Sequence, residues 1–288
     1  LKKVITMLNG TVHVDGAELY YEICGQGPAL LMISGAGGDA GYYSESARIL
    51  ENSFTVISYD RRGNSRSTGR RDTKTSMREQ ARDAKALIDE LAGGRALVFG
   101  NSGGAIIGLE LTAAFPASVQ GLIAHEPPIL GVLPDGDPDR GFFAEILAVA
   151  EQHGVMAAGA RFVQSVRGEG TYPWPTDVHE RFLGNVTHLF TNEFAAFGDY
   201  TPDWGALGAA GVPIVMAAGS EDRGCNYFLP SIIIAEQLGL PWAEFPGYHL
   251  PFMERPREFA AALRAVATQM FSNAETVAPL WRGSAALT

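Results

Sequence analysis

Residues 96–104, Ala96-Leu97-Val98-Phe99-Gly100-Asn101-Ser102-Gly103-Gly104, decide how the rest of the chain is read. Ala96 to Phe99 are apolar without alternation, the pattern of a strand buried on both faces. The next five residues fit G-x-S-x-G, and a helical run over 103–115 follows, stopped by Pro116. A serine there sits on a very tight strand-to-helix turn. Small neighbours at Gly100 and Gly104 let such a turn pack against adjacent strands. The helix N-terminus behind Ser102 adds free N–H groups and a positive dipole end, which favour developing negative charge. Alone, the pentapeptide reads equally well as a glycine-rich turn with a capping serine. The strand before it, the helix after it and two partners downstream favour a nucleophile.

The alternation of strand and helix continues on both sides. Residues 11–15 and 18–24 read as a hairpin across Asp15-Gly16. Runs at 29–34, 53–59 and 119–125 read as buried strands, and 76–92 as a helix with Ser76 and Glu79 as a capping box. The pattern resumes with a strand at 213–218, a helix at 230–239, a strand at 241–246 and a helix at 256–271. This predicts a mostly parallel, doubly wound α/β sheet. Between residues 131 and 205 no apolar strand is legible. Helical segments near 141–153, 155–167 and 178–197 carry many aromatics there. The expected layout is a core of 1–130 and 206–271, a helical cap over 131–205, and a C-terminal tail over 272–288 with Trp281 docking.

Composition narrows the partners. The chain has 288 residues, 46% hydrophobic, with a net charge of −10, which argues against a nucleic-acid partner. The basic cluster Arg61, Arg62, Arg66, Arg70 and Arg71 reads as a solvated loop held by local ion pairs with Asp60 and Asp72. Cys24 and Cys225 read as free thiols of a reducing compartment. No signal peptide and no run near the ~20 apolar residues of a membrane span is visible, so a cytoplasmic protein is expected. The histidines show no metal-ligand spacing, no P-loop or G-x-G-x-x-G follows a strand, and no metal or cofactor is expected.

His249 follows the last strand in a loop at the carboxyl end of the sheet, where a base could reach Ser102. Two carboxylates sit at strand ends on the same side. Glu126 stands in His125-Glu126-Pro127-Pro128 and Asp222 in Gly219-Ser220-Glu221-Asp222. A glutamate trapped between a buried strand and two prolines needs a donor, and a histidine N–H would be one. Glu126 is therefore preferred as the acid and Asp222 kept as runner-up.

On these residues the chain resembles the α/β-hydrolase family over about residues 11–271. Ser34-Gly35-Ala36-Gly37-Gly38 sits where that family carries its His-Gly oxyanion loop. Asp60-Arg61-Arg62-Gly63-Asn64-Ser65 resembles its Asp-x-x-Gly-x-Ser segment, and Gly247-Tyr248-His249 its Gly-x-His. Ser34 departs from the usual histidine, which braces the loop, so little functional loss is expected. The His-Glu-x-Pro segment also resembles the resorcylic-lactone (zearalenone-type) hydrolases, whose acid follows the same strand. The resemblance implies an oxyanion hole from the Ala36 and Gly103 N–H groups. It also implies hydrolysis of a carboxylic ester or lactone through an acyl-enzyme, on a bulky apolar small molecule. Trp174, Tyr172 and Phe190 of the cap are expected at the substrate. A carbon–carbon hydrolase, or a non-hydrolytic ligand-binding or cyclase-like protein, remains the alternative. An apolar lid or the tail would serve a homodimer interface.

Overall fold

The continuous apolar runs become the inner strands of one eight-stranded sheet. A computed structural model of the chain describes residues 7–166 and 174–272; Tyr172 and the tail with Trp281 lie outside them. Strands β1 (Leu8–Val14) and β2 (Ala17–Gly25) form the hairpin, turned at Asp15-Gly16 with Gly16 at φ 73°. They are followed by β3 (Ala29–Ile33), helix α1 (Ser44–Leu50), β4 (Thr55–Tyr59), α2 (Met77–Leu91), β5 (Ala96–Asn101), α3 (Gly103–Ala114) and β6 (Val119–His125). The sheet order is β1-β2-β4-β3-β5-β6-β7-β8, where β7 is Ile214–Gly219 and β8 Trp242–Phe245. Only the pairings of β1 with β2 and of β2 with β4 are antiparallel.

Both faces of the inner strands are covered, which explains why their sequences do not alternate. Leu31, Ile57, Val98, Leu122 and Met216 share one core with α2, α3 and the helix Phe228–Leu238. Their neighbours Leu30, Val56, Leu97, Ile123 and Val215 share the other with α1 and the last helix, Pro256–Ser272. Each such buried aliphatic contributes about 1.5–3 kcal/mol. The expected capping box at α2 does not close. Ser76 makes no side-chain cap bond, and Glu79 instead lies 3.4 Å from Arg62.

Among the described residues, five α-helices, α4 (Phe142–His153), α5 (Val155–Val166), α6 (Thr176–His188), α7 (Phe194–Gly198) and α8 (Trp204–Ala209), lie between β6 and β7. A π-helical turn, Leu189–Glu193, joins α6 to α7. Such turns insert one residue and often mark functional positions. Here the turn points Glu193, fully buried, away from the cap and into the sheet domain. Phe142, Phe143, Phe162, Phe190 and Phe194 stack against one another in the cap interior at centroid separations of 4.9–6.5 Å. No helix among the described residues is long and apolar enough to cross a membrane.

Candidate active site

The turn after β5 is as tight as its glycines demand. Ser102 has φ 57° and ψ −124°, a conformation a non-glycine residue adopts at a cost of about 1–3 kcal/mol. A Cβ on Gly100 would collide with the Gly104 carbonyl, and one on Gly104 with the Ile33 carbonyl. The Ser102 N–H donates to the His125 carbonyl at 2.8 Å, which ties the turn to β6. Gly103 opens α3, so its N–H has no acceptor within the helix. The loop after β3 packs onto this turn so closely that a Cβ on Gly35 would stand 2.8 Å from Ser102 Cβ and 3.1 Å from Gly103 N. Ala36, next in that loop, lines a small cavity together with Ser102, Gly103 and His249.

Glu126, one residue beyond β6, also has a positive φ, 49°. Its N–H donates to the Ala217 carbonyl at 2.9 Å, and its side chain turns inward under the sheet end. Glu126 Oε1 accepts from the Gly219 N–H at 2.8 Å, and Oε2 lies 2.6 Å from His249 Nδ1. Asp222 is equally buried but meets the Tyr227 hydroxyl, at 3.2 Å, and Cys225 Sγ, at 3.6 Å. Burial raises both carboxyls, Glu126 to about 8 and Asp222 to about 8. The contact with Glu126 assigns the proton of neutral His249 to Nδ1 and leaves Nε2 as the basic nitrogen.

Two residues that sequence reasoning missed hold His249 in place. Tyr227 lies against its ring at a centroid separation of 4.2 Å. Asn101, the middle residue between Gly100 and Ser102, donates from Nδ2 to the His249 carbonyl at 2.9 Å and stands 3.1 Å from His125 Nδ1. Nothing in the motif marks Asn101, because its variable position carries no chemical requirement of its own. Burial holds the His249 imidazolium down to about 4, against opposing fields from Asp222 and Glu254. A base held neutral by burial stays competent as the pH falls. We therefore expect the acid limb of kcat/KM, measured with a non-ionising substrate, to lie well below the usual histidine value of about 6.5. A limb at that value or above would contradict a base set by burial.

The basic cluster corrects the expectation of a solvated loop. Arg61 is fully buried and Arg62 nearly so; of the five, the exposed pair of Arg70 with Asp72 fits the simple reading. Arg62 makes two hydrogen bonds to Asp83, at 2.8 and 2.7 Å. Arg61 grips Glu193 of the cap at 2.5 and 3.0 Å and donates to the carbonyls of Ser34, at 3.1 Å, and Gly35, at 2.9 Å. The bracing expected of a histidine at position 34 thus falls to Arg61, while the Ser34 hydroxyl is buried and unpartnered. Removing one side of a buried pair costs about 3–5 kcal/mol. Arg61→Met should lose stability on that scale in urea titrations, and the added substitution Glu193→Leu should restore much of it. A loss under about 1 kcal/mol would show that the pair is not structural.

The cap expectations also need correcting. The cavity over Ser102 is nearly filled, about 20 Å³, and is lined by Phe142, Phe143, Phe162, Phe194, Phe197 and Tyr227. Phe190 is buried one layer away, between Phe162 and Phe194. Trp174 stacks on Tyr42 and Phe182 and lines a separate cleft of about 500 Å³ with Met156, Val163 and Leu183. It precedes α6 and packs between Tyr42 of the sheet domain and Phe182 of the cap, and it does not line the cavity over Ser102. Phe194 and Phe197 line the cavity in place of Phe190, which is claimed by the cap core.

A serine on a strained turn at the end of a central strand, with a histidine and a carboxylate delivered by later strand ends, defines an α/β hydrolase. Residues 30–262 match the model of the Alpha/beta hydrolase family. The chain is 33% identical to the hydrolase YraK of Bacillus subtilis over 265 residues, 90% of this chain and 96% of that one. Its fold is similar to a carboxylesterase of the thaumarchaeon Nitrososphaera gargenis, with TM-score 0.72, 20% identity, and 92% of this chain and 100% of that one covered. It is also similar to a thermophilic esterase of Thermogutta terrifontis, with TM-score 0.71, 18% identity, and 92% and 99% covered. The chain belongs to the α/β-hydrolase family and is a hydrolase.

Proposed function

We propose that this hydrolase cleaves a carboxylic ester or lactone of a bulky apolar small molecule through a Ser102–His249–Glu126 triad. The observation that carries the reading is the 2.6 Å contact of Glu126 with His249 Nδ1, beside a cavity shared by Ser102 and His249. Ser102 Oγ attacks the substrate carbonyl while His249 Nε2 takes the hydroxyl proton. Glu126 holds the imidazole and balances the imidazolium. The N–H groups of Ala36 and Gly103 receive the developing oxyanion. His249 then protonates the leaving alkoxide, and the acyl-enzyme is hydrolysed by a water activated the same way. In a lactone the leaving alcohol remains tethered to the acyl group, and the second step releases a single hydroxy acid.

The phenylalanine lining supports an apolar substrate, since it offers area and no charge. A cavity of about 20 Å³ holds roughly one water, so a bulky substrate requires the cap to open. The test is a screen of aryl esters, macrolactones and thioesters, with fluorophosphonate labelling of the native protein and of Ser102→Ala. Turnover of esters or lactones, with labelling confined to the native protein, supports the reading. An unlabelled, inactive native protein would favour a ligand-binding role.

A further inference from the structure

The carboxylate that meets His249 has a second carboxyl beside it. Asp222 is fully buried in the turn after β7. The Tyr227 hydroxyl donates to its Oδ1 at 3.2 Å, whereas its Oδ2 is buried and meets no donor. That oxygen is aimed at the end of β7, where a Cβ on Gly219 would stand 2.5 Å from it. The Gly219 N–H in turn donates to Glu126 Oε1 at 2.8 Å, so both carboxyls crowd the same residue at the end of β7. Two carboxylates have no donor between them, so a hydrogen bond across this pair requires a proton on one of them. Glu126 spends both oxygens as acceptors, one for Gly219 N–H and one for His249 Nδ1–H. Asp222 has an oxygen without a donor, and that is where a proton fits.

We propose that Asp222 is a positioning residue that keeps a proton on Oδ2 and donates it to Glu126, so that two buried carboxyls share one negative charge behind His249. The proposal rests on the triad reading above and deepens it. Three donors, from Gly219, His249 and Asp222, then fix the plane of the Glu126 carboxylate. The imidazolium formed during reaction faces a single charge.

The surroundings favour keeping that proton. Burial raises both carboxyls; the charge of Glu126 opposes ionisation of Asp222, whereas the side-chain contact with Asp222 favours the ionised form of Glu126. Tyr227 and Cys225, both raised by burial, remain neutral donors at the Asp222 side. His125 is held neutral by burial, and Glu254, on the short helix Pro251–Glu254, adds a further acidic group that faces Glu126 and accepts from the Tyr248 N–H at 3.1 Å. Two cations of the neighbouring loops are committed elsewhere, Arg255 to Glu221 at 2.5 Å and Arg223 to Glu244. Raising the pH through about 8 should remove the shared proton, set two buried charges against each other and loosen His249.

Asp222→Asn retains an N–H donor toward Glu126 but cannot titrate, whereas Asp222→Ala removes the donor. With an ester substrate, Asp222→Ala should lower kcat about 100-fold with KM little changed. Asp222→Asn should recover most of that loss and abolish the wild-type decline above pH 8. If the alanine variant fails to fold, as judged by circular dichroism, the asparagine variant and its pH profile carry the kinetic test. Infrared difference spectra provide a readout that needs no substrate. The wild type at pH 7 should show the C=O stretch of a buried protonated carboxyl, absent from Asp222→Asn. Three results overturn the proposal: no such band, a band that persists in Asp222→Asn, or a kcat for Asp222→Asn as low as that of Glu126→Gln. A band present alongside an active Ser102→Ala variant would instead overturn the triad reading and leave the shared proton standing.

Discussion

Ser102→Ala should lower kcat by at least ~10³-fold on any ester the protein turns over. The variant keeps the apolar cavity, the N–H groups of Ala36 and Gly103 and the strained turn, so binding and oxyanion stabilisation survive. What disappears is the atom proposed to form the acyl-enzyme, and among the described residues no other hydroxyl side chain lines that cavity apart from Tyr227, whose O–H is turned to Asp222. His249→Ala should be nearly as damaging, because a neutral hydroxyl without a base is a poor nucleophile. The double variant should then be little worse than either single one, since the two act as a unit. Steady-state kinetics on purified, folded variants decide the matter. Near-native turnover by Ser102→Ala would end the serine-hydrolase reading, and losses that multiply in the double variant would mean the two residues act separately.

The sheet was legible because burial on both faces leaves an unmistakable trace. Runs such as Leu30-Leu31-Met32-Ile33 must be apolar at every position when one face meets α2 and α3 and the other α1 and the last helix. The turn at Ser102 was legible because its glycines answer a local steric demand. What stayed hidden depends on partners distant in sequence. Arg61 and Glu193 are separated by 132 positions, and nothing around either residue announces the other. A charged cluster next to Asp60 and Asp72 is explained locally with equal ease, and only the π-helical turn of the cap reveals that Arg61 is claimed from outside. The cap aromatics failed for a related reason. Trp174 and Phe190 have the composition expected of a substrate pocket, but packing seats the first between Tyr42 and Phe182 and the second in the cap core. Helix α1 escaped notice as well: Ser44–Leu50 is only two turns long, with too few apolar positions to show a period.

Glu126→Gln should lower kcat by about 10⁴-fold, whereas Asp222→Asn should cost far less. Sequence offers little to separate the two carboxyls: each follows a buried strand, and each ends up without solvent exposure. They differ in backbone. The positive φ of Glu126 swings its side chain beneath the end of β7, where Oε2 reaches His249 Nδ1 and Oε1 reaches the Gly219 N–H. Asp222 is turned toward Tyr227 and Cys225. A glutamine at 126 keeps the volume but carries no charge to balance the imidazolium. Its amide also presents N–H groups where the site supplies the Gly219 N–H and the His249 Nδ1–H, so either a donor is left facing a donor or the imidazole changes tautomer and offers Ser102 a proton instead of a lone pair. Either outcome strikes the transition state more than the ground state, so kcat should fall with KM nearly constant. An asparagine at 222 faces neither difficulty, because its amide supplies a donor toward Glu126 and a carbonyl toward Tyr227. Equal losses for the two variants would mean that charge at Asp222 matters as much as charge at Glu126, and a larger loss at Asp222 would transfer the acid's role to it.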